Sequence, residues 1–382
     1  MTIEAPPRRG PGASIFFMDL IRGIAAQFVV VGHGINVFLP AVYMVPAAGG
    51  GLEARPGGIY LQNLAVLIFF YISGYLITAT FLKKSQQPDW RLRHFLADRA
   101  ARIFTPLLPL LLILLVTDNL VFGDHAQTPY VLINAGFDDA VRNATMLFDN
   151  PLLVRAARWS GQTWLSGSAF GSASQLWTVV IEWWIYVTFG LTAFWLIRRR
   201  GMLLLWVGAL LFALVVPLGA LLQHSGLIVA WIVGMGMRLV HDRLRQVRPL
   251  LLLALAALAF ALAAARWALT AFDFYDPLTA GLLGIAIFTF MTARESGKKR
   301  VLPAVDALVG GMSKISYSLY LVHLSMLFYV AAWFPSLVGQ IWMLPVVFLL
   351  CNLVAIPFYW LFERHYPAVR RRLEPWLGPA RA

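Results

Sequence analysis

Charge is scarce in this chain. Of its 382 residues only 13% are Asp, Glu, Lys or Arg, while 60% are hydrophobic, and the mean hydropathy is +0.72. Soluble domains carry roughly a quarter charged residues. A surface facing water on all sides is therefore excluded, and with it a soluble enzyme on one compact core or a disordered chain. Cysteine is scarcer still. Cys351 stands alone in an apolar run, which excludes an internal disulfide framework. No internal repeat or low-complexity tract stands out. No cleavable signal peptide is expected either, because the first apolar run, from Ile15 to about Leu39, is too long for a signal h-region and holds Asp19 and Arg22.

What charge there is has one dominant sign, with a formal net of +13. The basic residues sit between apolar runs and not along one face, which points to a polytopic membrane protein and away from nucleic acid. A helix needs about 20 mostly apolar residues to cross a bilayer. Ten segments qualify: 15–39, 60–82, 103–121, 175–197, 201–221, 224–241, 249–270, 277–293, 313–334 and 340–362. Several are broken by Gly or Pro, for example at Gly234 and Gly236 or at Pro345 and Pro357. Of the 31 Lys and Arg residues, 25 fall to one side of such a bundle. Only Arg55, Arg142, Arg155, Arg158 and Arg266 fall to the other, and Arg22 lies within a span. The positive-inside rule then puts both termini in the cytoplasm. Glu53, Asp118, Asp124, Asp138, Asp139, Asp149, Asp273 and Asp276 fall on the outer face. The expected layout is a tail over 1–14, a membrane domain over 15–362 and a second tail over 363–382. One outer loop, about 123–174, is long, holds Trp159, Gly161, Trp164, Gly167, Ser168 and Gly171, and contains a short amphipathic helix near 137–148. Its tryptophans suit a membrane interface.

Three charged residues lie well inside the spans: Asp19, Arg22 and Glu182. Such groups are costly in lipid and persist when they face inward, pair or act. His33 joins them, an imidazole of the kind that exchanges protons near neutral pH. Arg22 and His33 are 11 residues apart, so they differ by only about 20° around a helix and by about 16 Å along it. Asp19, one turn before Arg22, can pair with it. Asn36 follows His33 by one more turn. A structural histidine and a proton-transfer group both fit this stripe. Glu182 could be held by Tyr186 at i+4, or it could orient a catalytic histidine. From the residues alone, the hydroxyls and imidazole between Ser316 and His323 read best as interhelical glue.

Taken together these segments resemble acyltransferase family 3, the integral-membrane O-acyltransferases of bacteria and some eukaryotes. Arg22 to His33 is similar to that family's Arg-ten-residues-His signature. Phe69-Phe70-Tyr71-Ile72-Ser73-Gly74-Tyr75 resembles its Phe-Phe-x-x-Ser-Gly-aromatic segment. Arg99-Ala100-Ala101-Arg102-Ile103 resembles its Arg-x-x-Arg-Ile stretch, Leu176 to Tyr186 its Leu-Trp-Ser-Leu-x-x-Glu-x-x-x-Tyr motif, and Ser316 to His323 its Ser-Tyr-x-x-Tyr-Leu-x-His motif. The matches run in the family's order over most of the chain. Thr178 replaces the usual Ser, Trp183 stands where many members have a second acidic residue, and the proline after Arg102-Ile103 is displaced to Pro106.

The resemblance implies transfer of an acyl group, usually acetyl, from acyl-CoA to a hydroxyl of a glycan or glycolipid at the membrane. His33 would take the hydroxyl proton, with Glu182 available to orient it and Arg22 to steady the site or guide the donor's arm. Arg99 and Arg102 would hold the CoA phosphates. Ser73 or Tyr317 would donate to the developing oxyanion, and His323 would join the donor-binding residues. No metal and no permanently bound cofactor is expected. The implied location is a bacterial inner membrane, in keeping with 26 Arg against 5 Lys. The rival reading is a secondary transporter with a polar centre, a class that usually carries an internal repeat.

Overall fold

The computed structural model describes residues 13–46, 52–54, 60–87, 89–123, 125–127, 132–148, 150–161, 169–198, 203–295, 302–373 and 375. Most of the expected N-terminal tail, Trp164, Gly167 and Ser168 of the long loop, and 376–382 lie outside the described residues. The chain is an all-α polytopic membrane protein. Its helices are α1 (Ala13–Phe38), α2 (Pro40–Tyr43), α3 (Leu61–Lys84), α4 (Leu92–Phe122), α5 (Phe137–Ala144), α6 (Pro151–Ser160) and α7 (Leu176–Arg198). There follow α8 (Leu203–Gln223), α9 (Ser225–Leu244), α10 (Pro249–Leu269), α11 (Pro277–Glu295), α12 (Pro303–Trp333), α13 (Met343–Leu361) and α14 (Tyr366–Leu373). Two short antiparallel hairpins, β1 (Met44–Pro46) with β2 (Leu52–Ala54) and β3 (His125–Gln127) with β4 (Leu132–Asn134), decorate the loops.

Among the described residues nine helices are long and apolar enough to cross a membrane: α1, α3, α4, α7, α8, α10, α11, α12 and α13. Their outer faces expose large apolar side chains, such as Leu222 at 88% and Leu250 at 77%. In water such bands would be aggregation surfaces, whereas in lipid they need no cover. The tenth expected span, 224–241, forms α9, but Arg238, His241 and Asp242 close it and it falls short of the other nine. It lies between α3 and α11. Gly234 does not break α9. It is the point where two helix backbones meet: an added Cβ there would stand 2.1 Å from the Tyr71 carbonyl oxygen, and one at Gly74 would stand 2.1 Å from that of Trp231. Small residues on both helices permit this approach.

Two helices begin earlier than hydropathy predicts. α4 starts at Leu92, not near 103, and carries Pro106 and Pro109 inside it. α12 starts at Pro303, not 313. Charged first turns hide such extensions from a hydropathy reading. The centre of the bundle is α1, packed between α3 and α12, with α13 beside them.

The ends of the bundle correct two further expectations. Asp118 does not face the outer medium. It is fully buried and accepts from the Ser172 backbone N–H at 2.8 Å, the Ser172 hydroxyl at 2.8 Å and the Tyr329 hydroxyl at 2.5 Å. This pins the end of the long loop to α4 and α12. Gly171 (φ +54°) makes it possible, since a Cβ there would meet the Asp118 carboxylate at 1.9 Å. The short helix expected near 137–148 is α5, and the Phe170 N–H donates to Asn143 Oδ1 at 3.0 Å. Nor is 363–373 a free tail. Glu363 is fully buried, and α14 packs on α4, where Arg370 and Lys84 both pair with Asp98.

Candidate active site

Six of the eight residues singled out above, Arg22, Ser73, Arg99, Arg102, Glu182 and Tyr317, line one cavity of about 700 Å³. α1, α3, α4, α7 and α12 contribute its walls, and Arg364, Tyr366 and Pro367 close one side. Five cations (Arg22, Arg99, Arg102, Lys314 and Arg364) face two carboxylates, Asp19 and Glu182. Apolar side chains from α3, including Phe69, Ile72 and Leu76, fill its deeper wall. The chamber thus combines an anion-attracting rim with an apolar interior.

The cations are not equivalent. Arg102 pairs with Glu363 at 3.0 Å, without the alignment of a hydrogen bond, and its guanidinium lies 4.9 Å from the Tyr366 ring centre and 5.8 Å from that of Tyr317. Glu363 Oε2 accepts from the Ser318 N–H at 2.9 Å and its hydroxyl at 2.6 Å. Arg102 therefore holds the fold together as well as facing the cavity. Arg99 makes no ion pair within 4 Å among the described residues, and its Nε is buried without a hydrogen-bond partner. Arg22 stands 4.0 Å from Asp19, whose carboxylate accepts from Ser313 Oγ at 2.7 Å.

Glu182 is held by Tyr186 one turn on, whose hydroxyl donates to Oε1. The Tyr186 proton being committed there, Ser73 Oγ, 2.8 Å away, is the donor to the Tyr186 oxygen. The i+4 clamp is thus present. The alternative role, Glu182 orienting His33, is not what the structure gives.

The partner of His33 is His323. His33 Nδ1 and His323 Nε2 are 3.0 Å apart, with ring centres at 5.0 Å. His323 Nδ1 lies 2.8 Å from the Tyr320 carbonyl and 3.2 Å from that of Leu319. Carbonyl oxygens only accept, so His323 Nδ1 carries its proton. With both rings neutral, His323 Nε2 is then an acceptor and the His33 proton sits on Nδ1. This leaves a lone pair on His33 Nε2, the arrangement a general base needs. His323 is fully buried and His33 half-buried.

Neither imidazole is among the residues lining the cavity. Its inner end is closed by Phe69, Thr178 and Tyr320. The Tyr320 hydroxyl bonds to Thr178 and donates to the Gln175 carbonyl at 3.0 Å, and its ring centre is 5.9 Å from that of Phe69. Behind it, 5.8 Å ring to ring, stands His323. Between the cavity and the His33–His323 pair thus stands the Tyr320 side chain. Tyr320 was visible within its motif but not singled out, and Thr178 was noted only as a departure from its motif. Lys314, Arg364 and Glu363 fell at helix ends, where a charge reads as solvated. Among the described residues no cluster of His, Cys, Asp or Glu could hold a metal ion.

A family model described as an acyltransferase domain, that of acyltransferase family 3, matches residues 15–364. The chain is thus a multi-pass membrane acyltransferase. It belongs to acyltransferase family 3. No curated protein and no solved structure matches it.

Proposed function

We propose that this acyltransferase moves a short acyl group, acetyl in the first instance, from cytoplasmic acyl-CoA to a hydroxyl of a glycan or glycolipid. With α9 crossing as the tenth span, both termini then lie in the cytoplasm of a bacterial inner membrane, and the cation-rimmed cavity opens on that side. The observation that carries this reading is the His33–His323 pair, whose only neutral proton arrangement leaves His33 Nε2 free to accept.

In this scheme the CoA phosphates rest on Arg99, Lys314 and Arg364, with Arg102 beside them, because guanidinium and ammonium groups give charge-assisted bonds to phosphate. The pantetheine arm follows the cavity past Arg22 toward Phe69. Opening of the Tyr320–Thr178 contact brings the thioester to the dyad. The acceptor hydroxyl gives its proton to His33 Nε2 as its oxygen attacks the carbonyl carbon. The C–S bond breaks, the ester C–O bond stays, and the CoA thiolate leaves with the proton from His33. Of the two candidate oxyanion donors, Tyr317 is the freer, since among the described residues its hydroxyl makes only a 3.5 Å contact to the Ile103 carbonyl while Ser73 is engaged by Tyr186. General-base catalysis contributes about 10²–10⁴ in rate. His33→Ala is therefore expected to lower acetyl-CoA turnover by at least a hundredfold while leaving acetyl-CoA binding and membrane insertion intact. Near-normal turnover by that variant refutes the scheme.

A further inference from the structure

The helices around His33 carry polar groups that this scheme leaves idle. α3 begins beside α1 at Gly32, where the gap is so narrow that an added Cβ would stand 2.4 Å from Gln62 Oε1 and 2.7 Å from the Gln62 backbone nitrogen. Gln62 is only 7% exposed, and its Oε1 has no hydrogen-bond partner among the described residues. Asn36 Oδ1 is likewise buried and has no partner among the described residues. At about 100° per residue, Asn36 lies about 40° from Gly32 and about 60° from His33 around α1. It sits between the face that meets α3 and the face that meets α12. Gly34, on the opposite side, meets Leu344 and Val347 of α13. His33, Asn36 and Gln62 therefore converge on the seam between α3 and α12, at the end of α1 remote from Arg22.

Buried carbonyl oxygens without donors are rare in folded proteins. Gln175 Oε1, at the start of α7, is a third such oxygen among the described residues, whereas another amide of α1 is paired. On the same helix, Gln27 Nε2 donates to Asn352 Oδ1 at 3.0 Å, and Asn352 Nδ2 returns a bond to Gln27 Oε1 at 2.9 Å. The two oxygens beside His33 have no such answer. They match a ligand that brings hydrogen-bond donors.

We propose that Asn36 and Gln62 form the acceptor subsite, accepting hydrogen bonds from neighbouring hydroxyls of a polyol such as a sugar ring while His33 faces the hydroxyl that is acylated. This rests on the reading of the chain as a hydroxyl acyltransferase. Acceptor oxygens on two different helices hold more than one hydroxyl, so the site selects a polyol over a simple alcohol. A chain with one hydroxyl leaves the second oxygen unpaired, and sites built this way discriminate strongly.

The test uses the full chain in lipid nanodiscs, with tritiated octyl β-glucoside as the probe. Asn36→Leu and Gln62→Met, made separately, are expected to weaken glucoside binding at least fivefold and to leave acetyl-CoA affinity unchanged, which also certifies the fold. Octanol is expected not to displace glucoside from the unaltered protein. Unchanged glucoside affinity in either folded variant overturns the proposal. So does absent binding, or equal displacement by octanol, in the unaltered protein, and that readout needs no variant. If glucoside binding depends on these residues but acetyl-CoA is never consumed, the subsite stands and the donor reading falls. If acetyl-CoA is consumed through His33 while glucoside binding ignores both residues, the subsite alone falls.

Discussion

Replacing Arg102 by alanine removes the counter-ion of a carboxylate that no solvent reaches. Glu363 is fully buried; its Oε2 is held by Ser318 and its Oε1 has Arg102 at 3.0 Å. Stripping one partner from a buried pair costs about 3–5 kcal/mol. The lower end applies, because the Arg102 side chain is 33% exposed and its loss opens the carboxylate to the cavity. A loss of about 3 kcal/mol is a roughly hundredfold shift in the folding equilibrium. Adding Glu363→Gln should recover most of it, since the amide oxygen still accepts from Ser318 and needs no cation. Thermal unfolding of the purified protein in detergent, followed by tryptophan fluorescence, compares both variants with the unaltered protein. Acetyl-CoA affinity, measured on the same samples, separates the second role: the double variant should be stable yet bind the donor more weakly. The reasoning fails if Arg102→Ala unfolds at the unaltered temperature, or if the double variant is less stable than the single one.

Three other outcomes follow from the same geometry. Gly74→Ala and Gly234→Ala place a methyl group 2.1 Å from a facing carbonyl, so α3 and α9 must separate. Each should sharply reduce the yield of monodisperse protein, and wild-type yield and melting temperature would contradict the close packing. Outside the spans, Arg266 donates to Asp276 at 2.8 and 3.1 Å and Thr279 adds two more bonds, holding its carboxyl down at about 2 from a usual 3.8. A depressed folded-state value stabilises fully above about pH 4 and is lost as pH falls toward 2. Melting temperature should therefore drop between pH 4 and 2, and Asp276→Asn should flatten that slope; an identical acid limb in both proteins argues against the pairing. Finally, Trp159 on α6 is 90% exposed. Trp159→Cys should react with an impermeant maleimide on intact cells, and labelling only after permeabilisation reverses the proposed orientation.

The transmembrane helices were legible because each apolar run is a local property of the chain. The Arg22–His33 stripe was legible for the same reason, since both residues ride one helix. The convergence of Ser73, Arg99, Glu182 and Tyr317 on a cavity needed the family's motifs, because spacing along four separate helices carries no distance between them. Asp118 and Glu363 were misplaced by a shared cause. Each lies at the end of an apolar run, where a charge reads as solvated, and each is buried by partners far along the chain: Ser172 lies 54 positions from Asp118, and Ser318 lies 45 from Glu363. Gly234 was read as a weak point within a helix when its role is to let a second helix in. No single-helix pattern distinguishes the two.

The partner of His33 shows most clearly where type-based reasoning stops. A carboxylate is the familiar orienter of a catalytic imidazole, and Glu182 was the carboxylate available. The structure uses a second imidazole, 290 positions away, and fixes that ring through carbonyls of its own helix at i−3 and i−4. The physical advantage lies in the medium. A carboxylate beside His33 would add an unpaired charge to the middle of a membrane bundle, where each such group costs about 2.5–3.5 kcal/mol on insertion scales. His323 sets the same proton position with no net charge, since the helix backbone already holds the acceptor that decides it. A helix that places histidine one turn after accessible carbonyls can therefore fix the tautomer of a neighbouring imidazole without burying an ion, and Tyr320 to His323 is such a turn.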